Sequence, residues 1–286
     1  MRDLHARAQV YCQQVLPAGQ SRLFLTHGTV EVSGLPAGDS HYRTPAVVPL
    51  EDWREPTAAE LDELLNLPGT ARVLPPELTI SVLPMPAAVL APFARLGLRE
   101  ASTARDCEQL LDSEAYADAV TEAVLELWPF FESADGMRLL GTCVQAPNMR
   151  TTTTHQGENG EYTFSGLHID DWGARAIDDR TQCERQMSIN LGRCDRFLSF
   201  IALPVAEVAR RVGRSDLGTY TELCAEFLRT SPGCEVIKVR IRPGEAYIAP
   251  TENLIHDGTT RGSDAPDITL NLRGRLRTML TPQVAA

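Results

Sequence analysis

The chain has 286 residues, 43% of them hydrophobic and 23% charged, which suits one globular domain with a substantial buried core and excludes wholesale disorder. Its net charge of −11 excludes the basic footprint that nucleic acid or an anionic membrane surface requires. Seven cysteines, an odd number without CxxC spacing, give neither a disulfide framework nor a thiolate zinc site and read as reduced thiols. The first residues mix charges without an apolar signal region, and no apolar run is long enough to span a bilayer, so the expectation is a cytoplasmic protein without a membrane partner.

The first 136 residues are proline-punctuated and mixed in character. Leu23–Leu25 and Thr29–Val32 predict short strands. In PTAAELDELLNL, Thr57 caps a helix and Glu60, three residues on, completes a capping box. A longer helix is expected from about Ser113 to Phe131, burying Tyr116, Val120, Val124, Leu127 and Trp128 and ending at Gly136.

From Met137 strands and turns take over. Arg138–Gln145, Tyr162–Asp170, Gln186–Leu191 and Arg196–Leu203 read as strands, with a Thr/Asn/Gly-rich loop over Pro147–Gly160. A helical insertion spans 204–230, with Leu217, Tyr220, Cys224, Phe227 and Leu228 on one face. Ile237, Val239 and Ile241 then alternate with Lys238, Arg240 and Arg242, and a Pro-Gly turn leads into Ala246–Ala249. In DITLNLRGRL, Ile268, Leu270 and Leu272 share one face, while Thr269, Asn271, Arg273 and Arg275 share the other. This order predicts a mainly β protein with packed helices. The expectation is a single domain, 1–286, with a jelly-roll core over 137–280 and an N-terminal α/β elaboration over 1–136.

Two of the six histidines have informative surroundings. In GLHIDDW, His168 and Asp170 stand two residues apart, so an extended chain projects both to one face and turns Asp171 away. His256, 88 residues on in AYIAPTENLIHDG, can complete a three-ligand face from another strand. Two imidazoles and one carboxylate are the ligand set of non-haem iron(II) oxygenases. A guanidinium on a following strand suits a carboxylate ligand.

This arrangement of H-x-D, a distal histidine and an arginine further on resembles the iron(II)/2-oxoglutarate-dependent dioxygenase superfamily. The resemblance covers roughly residues 137–280. It implies a cupin-like double-stranded β-helix core, with His168, Asp170 and His256 holding Fe(II) as the catalytic centre. It also implies O2 and 2-oxoglutarate as cosubstrates, the latter's far carboxylate on Arg273, with Arg275 and then Arg261 as rivals. Asn190 is a further candidate for a cosubstrate contact. The implied reaction is hydroxylation, desaturation or cyclisation of a small molecule such as an amino acid or natural-product intermediate. Asp171, Glu252 and Asp257 beside the candidate ligands, with the acidic net charge, make a cationic substrate the expectation. Arg150, His155, Trp172, Tyr247 and Asn253 are weaker candidates for the rim or walls. Two other readings use the same residues: a cupin-type metalloenzyme that needs no 2-oxoglutarate, and a metal-free jelly-roll binding protein.

Overall fold

The computed structural model describes residues 7–70, 75–133, 136–157, 160–172, 184–214 and 219–276. Leu217 and Cys183 lie outside them. The first half contains β1 (Gln9–Cys12), β2 (Leu23–His27), β3 (Thr29–Glu31), β4 (Pro36–Ala37), β5 (Ser40–Pro49), α1 (Ala58–Leu64), β6 (Leu65–Asn66), β7 (Thr79–Pro84), α2 (Ala87–Arg95), α3 (Ala104–Leu111) and α4 (Glu114–Leu127). It continues with β8 (Arg138–Gln145), β9 (Thr154–Gln156), β10 (Tyr162–Gly166), β11 (Arg185–Asn190), β12 (Arg196–Pro204), α5 (Val205–Val212), α6 (Tyr220–Thr230), β13 (Glu235–Ile241), β14 (Glu245–Ala249), β15 (Leu254–Thr259) and β16 (Asp267–Gly274).

The described residues are mainly β. A seven-stranded sheet has the order β6-β1-β7-β14-β11-β16-β8, and a four-stranded sheet has the order β15-β12-β13-β2. A third sheet runs β3-β5-β10-β9, with β4 on β5. The two larger sheets meet across a shared apolar layer, with Leu198, Phe200, Ile237 and Val239 on one side and Val10, Ile80, Val82 and Ala249 on the other. Phe200 is fully buried there, a contribution of about 1.5–3 kcal/mol from area alone.

Helices cover the outer faces. Ile268, Leu270 and Leu272 of β16 pack with Val89 and Phe93 of α2 and with Ala119 and Ala123 of α4, so the alternation read from DITLNLRGRL holds. On the four-stranded sheet, α5 and α6 lay Val205, Val208, Leu223 and Phe227 over Ile201, Val236 and Ile255. This cover changes β13. Instead of alternating with solvent, Lys238 is buried among aromatic rings, its ammonium 4.1 Å from the Trp53 ring centroid and 5.0 Å from that of Phe197. Burial pulls its pKa down to about 8.

Three further expectations change. The first 136 residues are not an appended layer: β1 and β7 extend the seven-stranded sheet, β2 extends the four-stranded one, and β5 pairs in parallel with β10. Helix α4 buries Tyr116, Ala119, Ala123 and Leu127, while Val120 and Val124 sit at the margin of the core and Trp128 is exposed. Small alanines let the helix backbone approach its neighbours closely, and a 3-10 turn containing Pro129 ends the helix well before Gly136. The strand expected over Tyr162–Asp170 stops at Gly166, where φ is +67° and an added Cβ would lie 2.5 Å from the Val47 carbonyl oxygen.

Candidate metal centre

The bend at Gly166 is what delivers the first histidine. Beyond it the chain crosses to β15 through an isolated bridge: the His168 N–H donates to the His256 carbonyl at 3.0 Å, and the His256 N–H returns a bond at 2.8 Å. Two residues on, the Asp170 N–H donates to the Thr251 carbonyl at 3.2 Å. Backbone pairing therefore fixes both segments against each other and turns all three side chains to one place.

His168 Nε2 lies 3.5 Å from Asp170 Oδ1, and His256 Nε2 lies 3.9 Å from Asp170 Oδ2. The imidazole centroids are 4.6 Å apart, and one ligand atom from each of the three residues falls within 4.8 Å of the others. Each Nδ1 is engaged by its own backbone, His168 with the Gly166 carbonyl at 2.8 Å and His256 with the Leu254 carbonyl at 3.1 Å. An N–H donated to a carbonyl fixes the tautomer and leaves Nε2 as the lone-pair donor, the outer-shell arrangement that orients metal-binding imidazoles. A second group, His27, Glu60 and Glu235, is also within ligand reach, but its carboxylates pair with Arg54 and Arg7 near the surface.

Burial and mutual charge set the protonation. Burial opposes the ionised form of Asp170, but His168 and His256 outweigh it and hold the carboxyl well below its usual range. For His256, burial and then the neighbouring His168 pull the pKa down to about 4, so its imidazole is neutral at neutral pH. Burial also works against a charge on His168, yet the adjoining Asp170 carboxylate prevails and raises it. The donor set of two imidazoles and one carboxylate fits a divalent transition metal with positions left open.

The three residues line a cavity of about 290 Å³ between the two large sheets. Trp172, half exposed, stands at its mouth, and Tyr247, Thr269 and Asn271 line the wall. At the far end are two residues that were not foreseen, Arg196 of β12 and Asp267 of β16. Register places Phe200 opposite His256, so Arg196, four residues along β12, is roughly 13 Å further down the strand. Arg196 donates to Ser188 Oγ at 2.8 Å, and its guanidinium carbon is 5.7 Å from the Tyr247 ring centroid. Its inward parity with Leu198 and Phe200 was the available signal, but only pairing with β15 shows which site it enters.

The expected arginines are placed otherwise. Arg273 is inward-facing as its parity requires and only 1% exposed, but it is ion-paired with Glu252 and with Glu184 at 3.0 Å and does not line the cavity. Its guanidinium carbon also lies 5.3 Å from the Trp172 ring centroid, and Glu252 accepts from the Trp172 N–H at 3.1 Å. Arg273 thus fastens the chain beyond Asp170 to β16. Arg275 is exposed past the end of that strand. Arg261 is on a surface loop, bonded to the Asn148 carbonyl and Glu51.

Asn190 is fully buried, but its amide donates to the Cys194 and Ile241 carbonyls at 2.9 and 3.1 Å and accepts from the Gly192 N–H at 3.0 Å. It braces the turn after β11 and is not in the cavity wall. Arg150 donates to the Pro49 carbonyl, Asn253 donates to the Glu77 carbonyl, and His155 is exposed on β9. Of the three acids expected to attract a cation, Asp257 is buried against Thr151 and the Thr153 N–H, and Glu252 is held by Arg273; Asp171 is exposed.

No family model matches this chain, and no curated protein matches it in sequence. Among solved structures, it is similar over 70% of its length to 81% of the Kdo hydroxylase KdoO, at 12% identity and a TM-score of 0.36. That structure is described as a non-heme Fe(II) α-ketoglutarate-dependent dioxygenase in complex with α-ketoglutarate and Fe(III). At so low a score the centre has to be read from its own residues. No helix among the described residues is long and apolar enough to cross a membrane.

Proposed function

We propose that this chain is a non-haem iron(II)/2-oxoglutarate-dependent oxygenase acting on a small molecule, with His168, Asp170 and His256 as the metal ligands. The observation that carries the reading is the convergence of the two imidazole Nε2 atoms and the Asp170 carboxylate within 4.8 Å, at one end of a cavity whose other end holds a buried arginine. A double-stranded β-helix core is supported by the chain path: β11, β14 and β16 fall in the seven-stranded sheet, while β12, β13 and β15 fall in the four-stranded one.

Iron(II) with 2-oxoglutarate and O2 would supply the oxidising chemistry; the protein supplies position and exclusion. His168, Asp170 and His256 would hold the ion on one side and leave the cavity side open. Arg196, not Arg273, is the group suited to the far carboxylate, because it lines the cavity beside one carboxyl, Asp267, while Arg273 is outside the lining and paired with two glutamates. Trp172 and Tyr247 would border the space between. Hydroxylation, desaturation or cyclisation all fit, since three protein ligands leave no place for a halide beside a chelating cosubstrate and oxygen.

Anaerobic reconstitution with Fe(II), followed by 2-oxoglutarate and air, should release succinate slowly even without the substrate, and His168→Ala and His256→Ala should abolish it. Stoichiometric iron without any succinate would favour a cupin-type enzyme that uses no cosubstrate.

A further inference from the structure

The end of the cavity away from the histidines contains an ion pair that the fold leaves open. Arg196 Nε is 3.5 Å from Asp267 Oδ2, and neither atom makes a hydrogen bond to the protein; Asp267 Oδ1 has no protein partner either. Both side chains are at least nine-tenths buried, at 7% and 4% exposed. A buried pair away from the cavity meets through direct hydrogen bonds, although Arg22 Nε is also without a partner. Arg22 and Glu245, equally buried, meet through two hydrogen bonds of 2.6 and 2.9 Å. The difference is what lies beside them. Arg196 and Asp267 both line the cavity, and Gly258 above them has no side chain where a Cβ would collide with Thr152 Oγ1 and come within 3.1 Å of the Arg196 guanidinium. Two residues with unused hydrogen-bonding capacity therefore border the cavity, packed closely against Gly258 and Thr152.

The charge balance at Asp267 is unusual. Arg196 faces it from β12, Cys143 from β8 and Tyr247 from β14. Burial pushes both the Cys143 thiol and the Tyr247 phenol up, so neither carries a charge at neutral pH. Burial likewise pushes the Asp267 carboxyl up, with Arg196 acting against it. A carboxylate ligand arriving at Arg196 engages the cation that faces Asp267 and brings a second negative charge beside it. Two carboxyl groups in such contact share a proton, because both cannot stay ionised in a buried site.

We propose that Asp267 is a positioning residue for an anionic ligand: it takes up a proton as the ligand binds and donates it in a hydrogen bond to the ligand carboxylate held by Arg196. Resting on the oxygenase reading, this makes the cosubstrate's far carboxylate the group that is clamped, between one guanidinium and one neutral acid. Asp267 is ionised against Arg196 in the free protein, so binding the diacid takes up a proton. A ligand without the far carboxylate takes up none.

The test is calorimetric titration of 2-oxoglutarate into protein loaded anaerobically with Mn(II), from pH 6 to 8.5, in buffers of different ionisation heat. Pyruvate, which lacks the far carboxylate, is the control. The expected result is proton uptake with 2-oxoglutarate and a Kd that rises by up to about tenfold per pH unit at the alkaline end. Pyruvate shows neither effect. Asp267→Asn, which keeps a donor without a titrating proton, should bind 2-oxoglutarate within a few-fold of wild type at pH 6 and lose the pH dependence. Because Asp267→Asn retains the metal ligands, their titration cancels in the comparison. Wild-type binding without proton uptake overturns the proposal, and that measurement needs no variant. So does an Asp267→Asn protein that loads Mn(II) but keeps the wild-type slope or no longer binds the diacid. Mn(II)-loaded wild type that binds neither 2-oxoglutarate nor pyruvate at any pH would instead remove the cosubstrate reading, and this inference with it.

Discussion

Arg273→Leu separates a structural arginine from a ligand-binding one. The native guanidinium is 1% exposed and its Glu252 partner 2% exposed, so the substitution leaves Glu252 without its buried counter-charge. Removing one partner of a buried pair costs roughly 3–5 kcal/mol. Glu184 adds little to that cost, being 23% exposed and also paired with Arg138. At about 2 °C per kcal/mol for a chain of this size, Tm should fall by roughly 6–10 °C. Differential scanning calorimetry reads that shift, and titration of the metal-loaded variant below its transition reads 2-oxoglutarate affinity, which should change by less than about threefold. Arg273→Met combined with Glu252→Gln should recover much of the lost stability, because the buried charge goes with its partner. An Arg273→Leu protein with unchanged Tm and severely weakened 2-oxoglutarate binding would refute this reasoning and return the anchor role to Arg273.

Arg196→Gln should show the opposite pattern, with 2-oxoglutarate binding weakened by roughly 2–5 kcal/mol and metal affinity retained, as read by calorimetric titration. Asn190→Ala should cost about 1–3 kcal/mol in urea unfolding, since the Cys194 and Ile241 carbonyls and the Gly192 N–H lose a partner, with cosubstrate affinity unchanged. Gly166→Ala forces a side chain into positive φ and against the Val47 carbonyl; it should cost roughly 1–3 kcal/mol or more and weaken metal binding by displacing His168. Wild-type Co(II) affinity in Gly166→Ala would show that the bend does not position that ligand.

The convergence of His168 and Asp170 was legible because it depends on local geometry: an extended chain sends the two side chains the same way whatever surrounds it. The identity of the cavity arginine was not. Parity on β16 turns Arg273 inward, as read, but Glu252 and Glu184 approach it from loops whose positions no strand pattern specifies. Arg196 carries the same inward parity on β12, and only the β12–β15 register brings it to the cavity holding His256. Asn190 shows the same limit, since its inward direction was readable and the Cys194 turn that occupies it was not. In the first 136 residues, β1 pairs in parallel with β7 and β5 with β10, contacts across long separations that leave no periodic trace nearby. Helix α1 was the reverse case: Thr57 and Glu60 form the capping box their spacing announces.

The most direct test of the central claim is Co(II) titration of the purified chain, followed by visible absorption and checked by equilibrium dialysis, on wild type, His168→Ala, His256→Ala and Asp170→Asn. The account predicts one ion per wild-type chain and a d–d band that shifts when 2-oxoglutarate is added. Each variant should lose at least about tenfold in affinity while still unfolding cooperatively. Wild-type affinity and spectrum in any of the three variants would contradict the assignment of His168, Asp170 and His256 as the metal centre.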